Sequence, residues 1–543
     1  MPQKQLLPIS LAMTITTYLA STSLANTSKP PATEPGTSDA VANKSFLHWD
    51  VGGYFRLRTS WIENLPYANP DLFASDRRDL ATHADFAHMR LRLNPQLSFG
   101  LDPKKPLAQL KFQIDGFDNI VINNNDLLTN TPIFKNLPNN TNLNEKDINN
   151  ISLKRAWLEF MIPVGQIRVG RMASNWGLGI LANDGNGLKG DFSDARYGST
   201  NDRVLFATRP LTIFNALTSG DKSETPLVFI TAYDKIVEDS LLELDDPRYE
   251  QGTTPRSVLP FANFVRHYDD VQQMVFALVW NDKSPSFGLK GDELTAGVYM
   301  TQRWQDSSES KVSIYDLFWR LKYSAFGSEG PQLFTETEIL TIQGTSRAIS
   351  IGTLTEPNIV NGVIRIGATA PKWDAVLELG QSGGDAVIAD GDFKSRAFHP
   401  DYRVGLLMFP IVTQARTAHQ FKDKPALWSK SGVYNASYAF PTLRYRPTEN
   451  IELVTAFLLA WADELTPVVG GSQRDDGSVE CAMFDSDCAL GWEVDAAVKV
   501  RWGEKDLMRW STEFGLMSPG EALKTVLQDK MIWTLQSRIG VAW

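Results

Sequence analysis

Apolar and polar residues alternate along most of this chain, from Phe46 to the C-terminus. In the segment 491–502, Trp492, Val494 and Val498 fall on one face, and charged side chains fall on the other. Segments 86–99 and 451–461 repeat the pattern. Side chains alternate faces along a β-strand, so this periodicity predicts strands. At eleven to fourteen residues, these segments reach the ~9–11 residues that a tilted strand needs to cross a bilayer.

The last strand, 531–543, carries the same alternation and ends the chain on an aromatic residue. Trp533, Leu535, Ile539 and Trp543 share one face, opposite Thr534, Gln536 and Arg538. This segment resembles the closing strand of a bacterial outer-membrane β-barrel. The resemblance implies that Trp543 belongs to a signal for the barrel-assembly machinery. By itself, the segment also fits the last strand of a soluble β-sandwich.

Short and long connections alternate between the strand segments, as tight periplasmic turns and long outer loops do in outer-membrane barrels. The sequence therefore predicts an all-β fold, a transmembrane antiparallel β-barrel of about eighteen strands, with sixteen or twenty as alternatives. The strands are predicted to begin near residues 46, 86, 106, 152, 165, 201, 226, 271, 293, 311, 331, 361, 373, 437, 450, 491, 507 and 531.

Three regions are predicted along the chain. Lys4, the apolar run 6–20 and Ser23-Leu24-Ala25 have the order of a secretory signal peptide, assigned to residues 1–25. Residues 26–45 are rich in Ser, Thr, Pro and Ala and are interpreted as a flexible periplasmic leader. The barrel is assigned to 46–543.

Composition narrows the function classes. A formal net charge of −10 argues against nucleic acid as a partner. The two cysteines, Cys481 and Cys488, are predicted to form a disulfide in an outer loop, because an exported chain favours oxidation. Six scattered histidines and no hydrolase, nucleotide-binding or zinc motif predict no enzyme, no cofactor and no metal.

The predicted inward faces are polar and tilt towards arginine. Guanidinium groups attract carboxylates and phosphates, so the wall could select anions; equally, arginines and glutamates could pair only to keep the wall polar and rigid. The predicted pore-lining residues are Arg56, Arg58, Arg90, Arg92, Arg155, Glu159, Arg168, Arg303, Arg320, Glu336, Glu338, Arg444, Arg446, Arg501 and Arg538.

A hairpin over 154–171 ends in Val169-Gly170-Arg171 and leads into the long segment 173–200. It resembles porins, including alginate-export-type porins, and the chain is also similar to an uncharacterised outer-membrane protein family of delta-proteobacterial type. The porin resemblance implies that this third outer loop folds into the barrel and narrows it. Its predicted constriction residues are Trp176, Asp184, Asp191 and Asp194, with the aspartates pairing to lumen arginines such as Arg90, Arg155 or Arg168. A loop lying over the rim is the alternative.

The segment 398–410 is more apolar than an outer loop should be. It is predicted either to pack in the pore or at its rim as a constriction element, or to form an additional pair of strands.

These features together predict a porin-like channel in the outer membrane for passive passage of small hydrophilic solutes, with anions among them. The alternatives are a secretion or uptake channel for an acidic polysaccharide, and a plugged structural or adhesive barrel. The predicted partners are outer-membrane lipid, the barrel-assembly machinery, and small solutes or acidic glycans.

Overall fold

The computed structural model describes the chain from Phe46 onwards, with gaps. The described residues are 46–65, 83–102, 105–122, 151–186, 192, 194–195, 197–236, 271–285, 291–306, 308–348, 354–388, 390–421, 427–469, 480–527 and 529–543. The predicted signal peptide and leader, residues 1–45, lie outside them.

The strands form where apolar and polar residues alternate along the sequence. They are β1 Leu47–Glu63, β2 His83–Phe99, β3 Ala108–Ile122, β4 Ile151–Ile162, β5 Gly165–Ala173, β6 Thr200–Thr208, β7 Leu227–Ile236, β8 Gln272–Asp282, β9 Glu293–Gln305, β10 Ser310–Tyr323, β11 Gln332–Thr345, β12 Glu356–Thr369, β13 Trp373–Ser382, β14 Asp392–Phe393, β15 Ala436–Thr448, β16 Ile451–Ala462, β17 Ala489–Trp502, β18 Met508–Pro519 and β19 Ile532–Ala542.

Within the described residues, eighteen of these strands form a closed antiparallel barrel. Each pairs with its neighbour along the chain, and β1 closes the ring against β19 from Tyr54↔Ala542 to Glu63↔Trp533. The remaining strand, β14, is a two-residue segment parallel to the start of β12. The predicted fold and strand number are therefore confirmed, and every barrel strand begins within five residues of its predicted start.

The outer face of the barrel is an exposed apolar belt. Closure removes the unpaired strand edges, so every strand can present its apolar face outwards without exposing backbone polar groups. Residues of this belt on neighbouring strands include Val204, Tyr233, Phe276, Leu278, Val298, Leu317, Ile339, Val360, Leu377, Leu443, Phe457, Val498, Phe514, Leu535 and Ile539. A continuous apolar surface of this extent is what contact with lipid requires.

Two long connections fold into the barrel. The 174–199 loop joins β5 to β6, and the 383–435 loop joins β13 to β15. Val404, Leu406 and Phe409 of the second loop are almost completely buried. The segment 398–410 thus packs inside rather than forming the strand pair that was its alternative, and it leads into a π-helix at Met408–Thr413 and an α-helix at Gln414–Gln420.

The other helices are short. Pro210–Thr218 occupies the connection after β6. A 3-10 turn, Glu504–Asp506, and the helix Glu521–Leu527 flank β18. Among the described residues, no helix is both long and apolar enough to span a membrane.

Two glycines explain close approaches. Gly170, in the Val169-Gly170-Arg171 segment, has φ +128°, and a Cβ there would lie 2.5 Å from the Ala156 carbonyl oxygen. At Gly297 a Cβ would lie 2.7 Å from the Trp176 ring, so this glycine makes room on the wall of β9 for the inward loop.

Candidate functional site: the arginine-lined cavity of the lumen

Four arginines gather where the first and last strands close the barrel. Arg56 on β1 lies opposite Arg90 on β2, and Arg58 on β1 lies opposite Arg538 on β19. All four are on the lumen side that the period of two predicted. Like charges placed directly opposite each other destabilise a sheet, so this arrangement requires anions or strong acceptors nearby.

Asp194 of the 174–199 loop supplies one such anion. Its carboxylate lies 3.0 Å from Arg56 and also contacts Arg538. The next carbonyl, that of Ala195, accepts hydrogen bonds from Arg56 at 3.2 Å and Arg90 at 3.4 Å. The Asp194 side chain is only 2% exposed, so water screens these interactions little.

A cavity of about 280 Å³ adjoins this cluster. Its described lining carries four arginines, the three wall residues Arg56, Arg58 and Arg90 together with Arg403 of the second inward loop, against one carboxylate, Asp194. The rest of the lining is largely apolar and includes Ile62, Leu65, Phe86, Leu406, Pro410 and Ile411. The cavity is therefore basic on one side and apolar on the other.

The 174–199 loop is fixed to the opposite wall by a carboxylate. Glu338 on β11 accepts hydrogen bonds from the backbone N–H groups of Leu178, Gly179 at 2.9 Å and Ile180 at 3.2 Å. The Trp176 indole N–H donates to Asp316 on β10 at 3.1 Å. Because these bonds reach from the connection after β5 to β10 and β11, the loop crosses the lumen.

The 383–435 loop is fixed in the same way on another strand. Glu493 on β17 accepts hydrogen bonds from the N–H groups of Leu406 at 2.6 Å, Leu407 at 2.7 Å and Met408 at 2.8 Å. Three successive amides on one buried carboxylate satisfy both partners without water. Each inward loop therefore has its own glutamate on the wall.

The two loops also contact each other. His399 Nε2 lies 3.0 Å from the Ser199 hydroxyl, and Asp401 accepts hydrogen bonds from the N–H groups of Tyr197 and Gly198. The Asp401 backbone N–H donates to His399 Nδ1 at 3.1 Å, which leaves the neutral ring with its proton on Nε2. Burial lowers the pKa of His399 to about 4, against the opposing effect of Asp401 and with a smaller contribution from Arg396.

Most other predicted pore-lining residues lie on the lumen wall in ion pairs. Arg92 donates to Asp115 at 2.6 Å, and Glu159 pairs with Lys111 at 3.0 Å and Arg168 at 3.5 Å. Further groups are Arg320–Glu336–Arg365, Arg444 and Arg446 with Asp374, and Arg501 with Asp506. Arg303 donates to the Gln273 amide oxygen at 3.0 Å. These predicted residues away from the β19–β1–β2 seam are thus held in ion pairs or hydrogen bonds.

The predicted constriction residues have different positions. Trp176 reaches Asp316 on β10, and Asp194 reaches Arg56 on β1 and Arg538 on β19. The Asp184 carboxylate accepts hydrogen bonds from Asn186, and the Asp184 backbone carbonyl accepts one from Arg155 at 2.8 Å. Asp194 pairs with two other lumen arginines, Arg56 and Arg538. Asp191 lies outside the described residues.

The lumen also has an apolar sector, which was not among the predicted features. Val228, Ile230 and Ala232 on β7 and Val275 and Ala277 on β8 face inwards and pack in one cluster with Trp176, Ile180 and Leu181. The amino-acid sequence does indicate this apolar sector, because β7 and β8 are largely apolar on both faces. A strand apolar on both faces is buried on both, so it indicated an inward loop covering this wall.

Cys481 and Cys488 form a disulfide, with a Cα–Cα distance of 6.0 Å, in the connection between β16 and β17. No group of three or more metal-ligating side chains suited to a metal ion occurs among the residues that the structure describes.

Comparison with known proteins gives distant structural similarity. No protein-family model matches the sequence, and no curated protein is significantly similar to it. Pseudomonas aeruginosa OccK9 (OpdG) shares 10% identity at a TM-score of 0.47, covering 91% of this chain and 99% of that one. Acinetobacter baumannii OccAB3 shares 9% identity at a TM-score of 0.47, again covering 91% and 99%. At these values the similarity assigns no family and no function.

Proposed function

We propose that this protein is an outer-membrane, porin-like channel for small hydrophilic solutes that favours anions. The apolar belt supports a position in a lipid bilayer. The preference for anions rests on one observation above all, the excess of arginine over carboxylate around the lumen cavity. Fixed positive charge raises the local concentration of anions in a confined, water-filled path.

Swelling of liposomes that contain the purified barrel tests passage directly. Arabinose should enter and swell the vesicles. Gluconate, which is of comparable size but negatively charged and more strongly hydrated, should swell them at least as fast as arabinose. In a neutral pore, gluconate would enter more slowly than arabinose. An assembled barrel that admits neither solute contradicts the proposal. An added anionic oligosaccharide that blocks entry would instead favour a channel for acidic polysaccharides.

A plugged structural barrel is the second candidate. It is favoured by the depth to which the 383–435 loop is packed, with Leu407, Met408 and Phe409 fully buried. A plugged barrel would leave vesicles unswollen in both solutes while assembling normally.

A further inference from the structure

We propose that Asp194 is a built-in competitor for the lumen's anion site: its carboxylate occupies the place of a small amphipathic carboxylate, which must displace it to bind. This inference rests on the proposed channel function. It assigns to one loop residue the control of how strongly the channel holds its solute.

The geometry of the arginine cluster supports this role. Arg56 and Arg538 belong to neighbouring strands, and their guanidinium groups converge on one carboxylate from the loop. Guanidinium keeps its charge inside a protein and bonds carboxylates well, so the cluster binds carboxylates by its chemistry and not only this one.

Asp194 comes from a connection, whereas its partners are on strands. The arginine cluster is therefore part of the rigid wall, whereas the carboxylate belongs to a loop. The hydrogen bonds that hold this loop are made by Gly179 to Glu338 and by Gly198 to Asp401, on either side of Asp194 along the chain. A loop moves more readily than a closed sheet, so displacement costs less for Asp194 than for any wall residue.

The adjacent cavity accommodates the incoming molecule. At about 280 Å³ it lies near the lower end of the ~300–1,000 Å³ typical of small-molecule sites. Its arginines would bind the carboxylate of the solute, and Ile62, Leu65 and Phe86 would contact a short hydrocarbon chain. A hydrophilic anion alone would leave this apolar side without contact.

Competition by Asp194 keeps binding weak. Removing its charge while keeping its shape takes a carboxylate away from both Arg56 and Arg538, of which Arg538 keeps Glu513 at 3.6 Å, and a buried cation that loses a charged partner is strongly disfavoured. The cluster should then bind a solute carboxylate more tightly, so that the solute blocks the channel instead of passing through it.

The test is block of single-channel current in planar bilayers by hexanoate, with uncharged hexanamide as the reference. We expect Asp194→Asn to lower the half-blocking hexanoate concentration at least tenfold relative to wild type, with no change for hexanamide. Asp194→Glu should stay near wild type. The matched control is Asp202→Asn, which removes a carboxylate paired with Arg171 at 2.8 Å on the outer face of the barrel, away from the lumen; it should not alter block.

Unchanged or weaker block by hexanoate in Asp194→Asn overturns this inference but leaves the proposed channel function intact. A wild-type protein that conducts no current overturns the proposed function itself. If Asp194→Asn does not assemble, Asp194→Ser carries the same expectation. Failure of both to assemble would make Asp194 an obligatory counter-ion for folding and would also overturn its role as a displaceable competitor.

Discussion

His399 of the 383–435 loop and Ser199 of the 174–199 loop form a hydrogen bond of 3.0 Å that joins the two inward loops. Protonation of His399 would place a second proton on Nδ1 and break the hydrogen bond that Nδ1 accepts from the Asp401 backbone N–H. Because the Asp401 carboxylate accepts the N–H groups of Tyr197 and Gly198, this loss makes the contact between the loops sensitive to acid.

We predict that this contact weakens as the pH falls from about 6.5 towards 4. The pKa of His399 in the folded protein, about 4, is below the ordinary value of 6.5, so the folded state binds fewer protons in this window. Its contribution to stability is complete above pH 6.5 and is lost as the pH falls through the folded pKa. The protection of the loop amides against hydrogen exchange, taken relative to the intrinsic rate at each pH, should fall over that range. In His399→Gln, which cannot gain the proton, this loss of protection should be reduced; an identical loss would refute the assignment.

Loss of a wall glutamate should release its loop. Glu338→Ala leaves the amides of Leu178, Gly179 and Ile180 without their buried acceptor, at ~1–3 kcal/mol for each orphaned group. We expect larger single-channel conductance and faster proteolysis within the 174–199 loop. Glu356→Ala, which removes an exposed carboxylate at the start of β12, is the control. Equal conductance in Glu338→Ala and wild type would mean that this loop does not narrow the pore.

The apolar belt predicts a steep penalty for charge on the lipid-facing side. Leu317, near the middle of β10, is exposed between Val298 and Ile339. Leu317→Arg should destabilise the barrel in lipid by ~2–4 kcal/mol, measured by reversible unfolding in urea. Leu101→Arg, in the exposed turn after β2, should cost little. Equal effects of the two substitutions would argue against a membrane position for Leu317.

The disulfide should be local in its effect. It links Cys481 to Cys488 across only seven positions, and a loop of this length gives ~2–3 kcal/mol of local constraint. The double substitution Cys481→Ser and Cys488→Ser should leave heat-modifiable gel migration and conductance unchanged. Loss of assembly in this variant would show that the bond is needed for the barrel itself.

The barrel could be predicted from sequence because its main signal is local. Whether Arg56 or Arg538 faces inwards follows from the parity of its position along one strand, and the antiparallel order follows from the connections. The partners of the loops could not be predicted in this way. Glu338 binds backbone amides, which every residue possesses, and Asp194 meets Arg538 only because the ring closes β1 against β19. Such contacts depend on how the loops fold in three dimensions, and no periodicity encodes them.

The preference for anions can be measured as the reversal potential of single channels in a tenfold gradient of KCl. Wild-type protein should be selective for chloride, and Arg58→Gln combined with Arg90→Gln should reduce that selectivity, because both arginines line the cavity. The assembled double variant should keep its heat-modifiable migration. Selectivity for potassium in the wild type, or the same chloride selectivity in both proteins, would show that the cavity arginines do not make this channel favour anions.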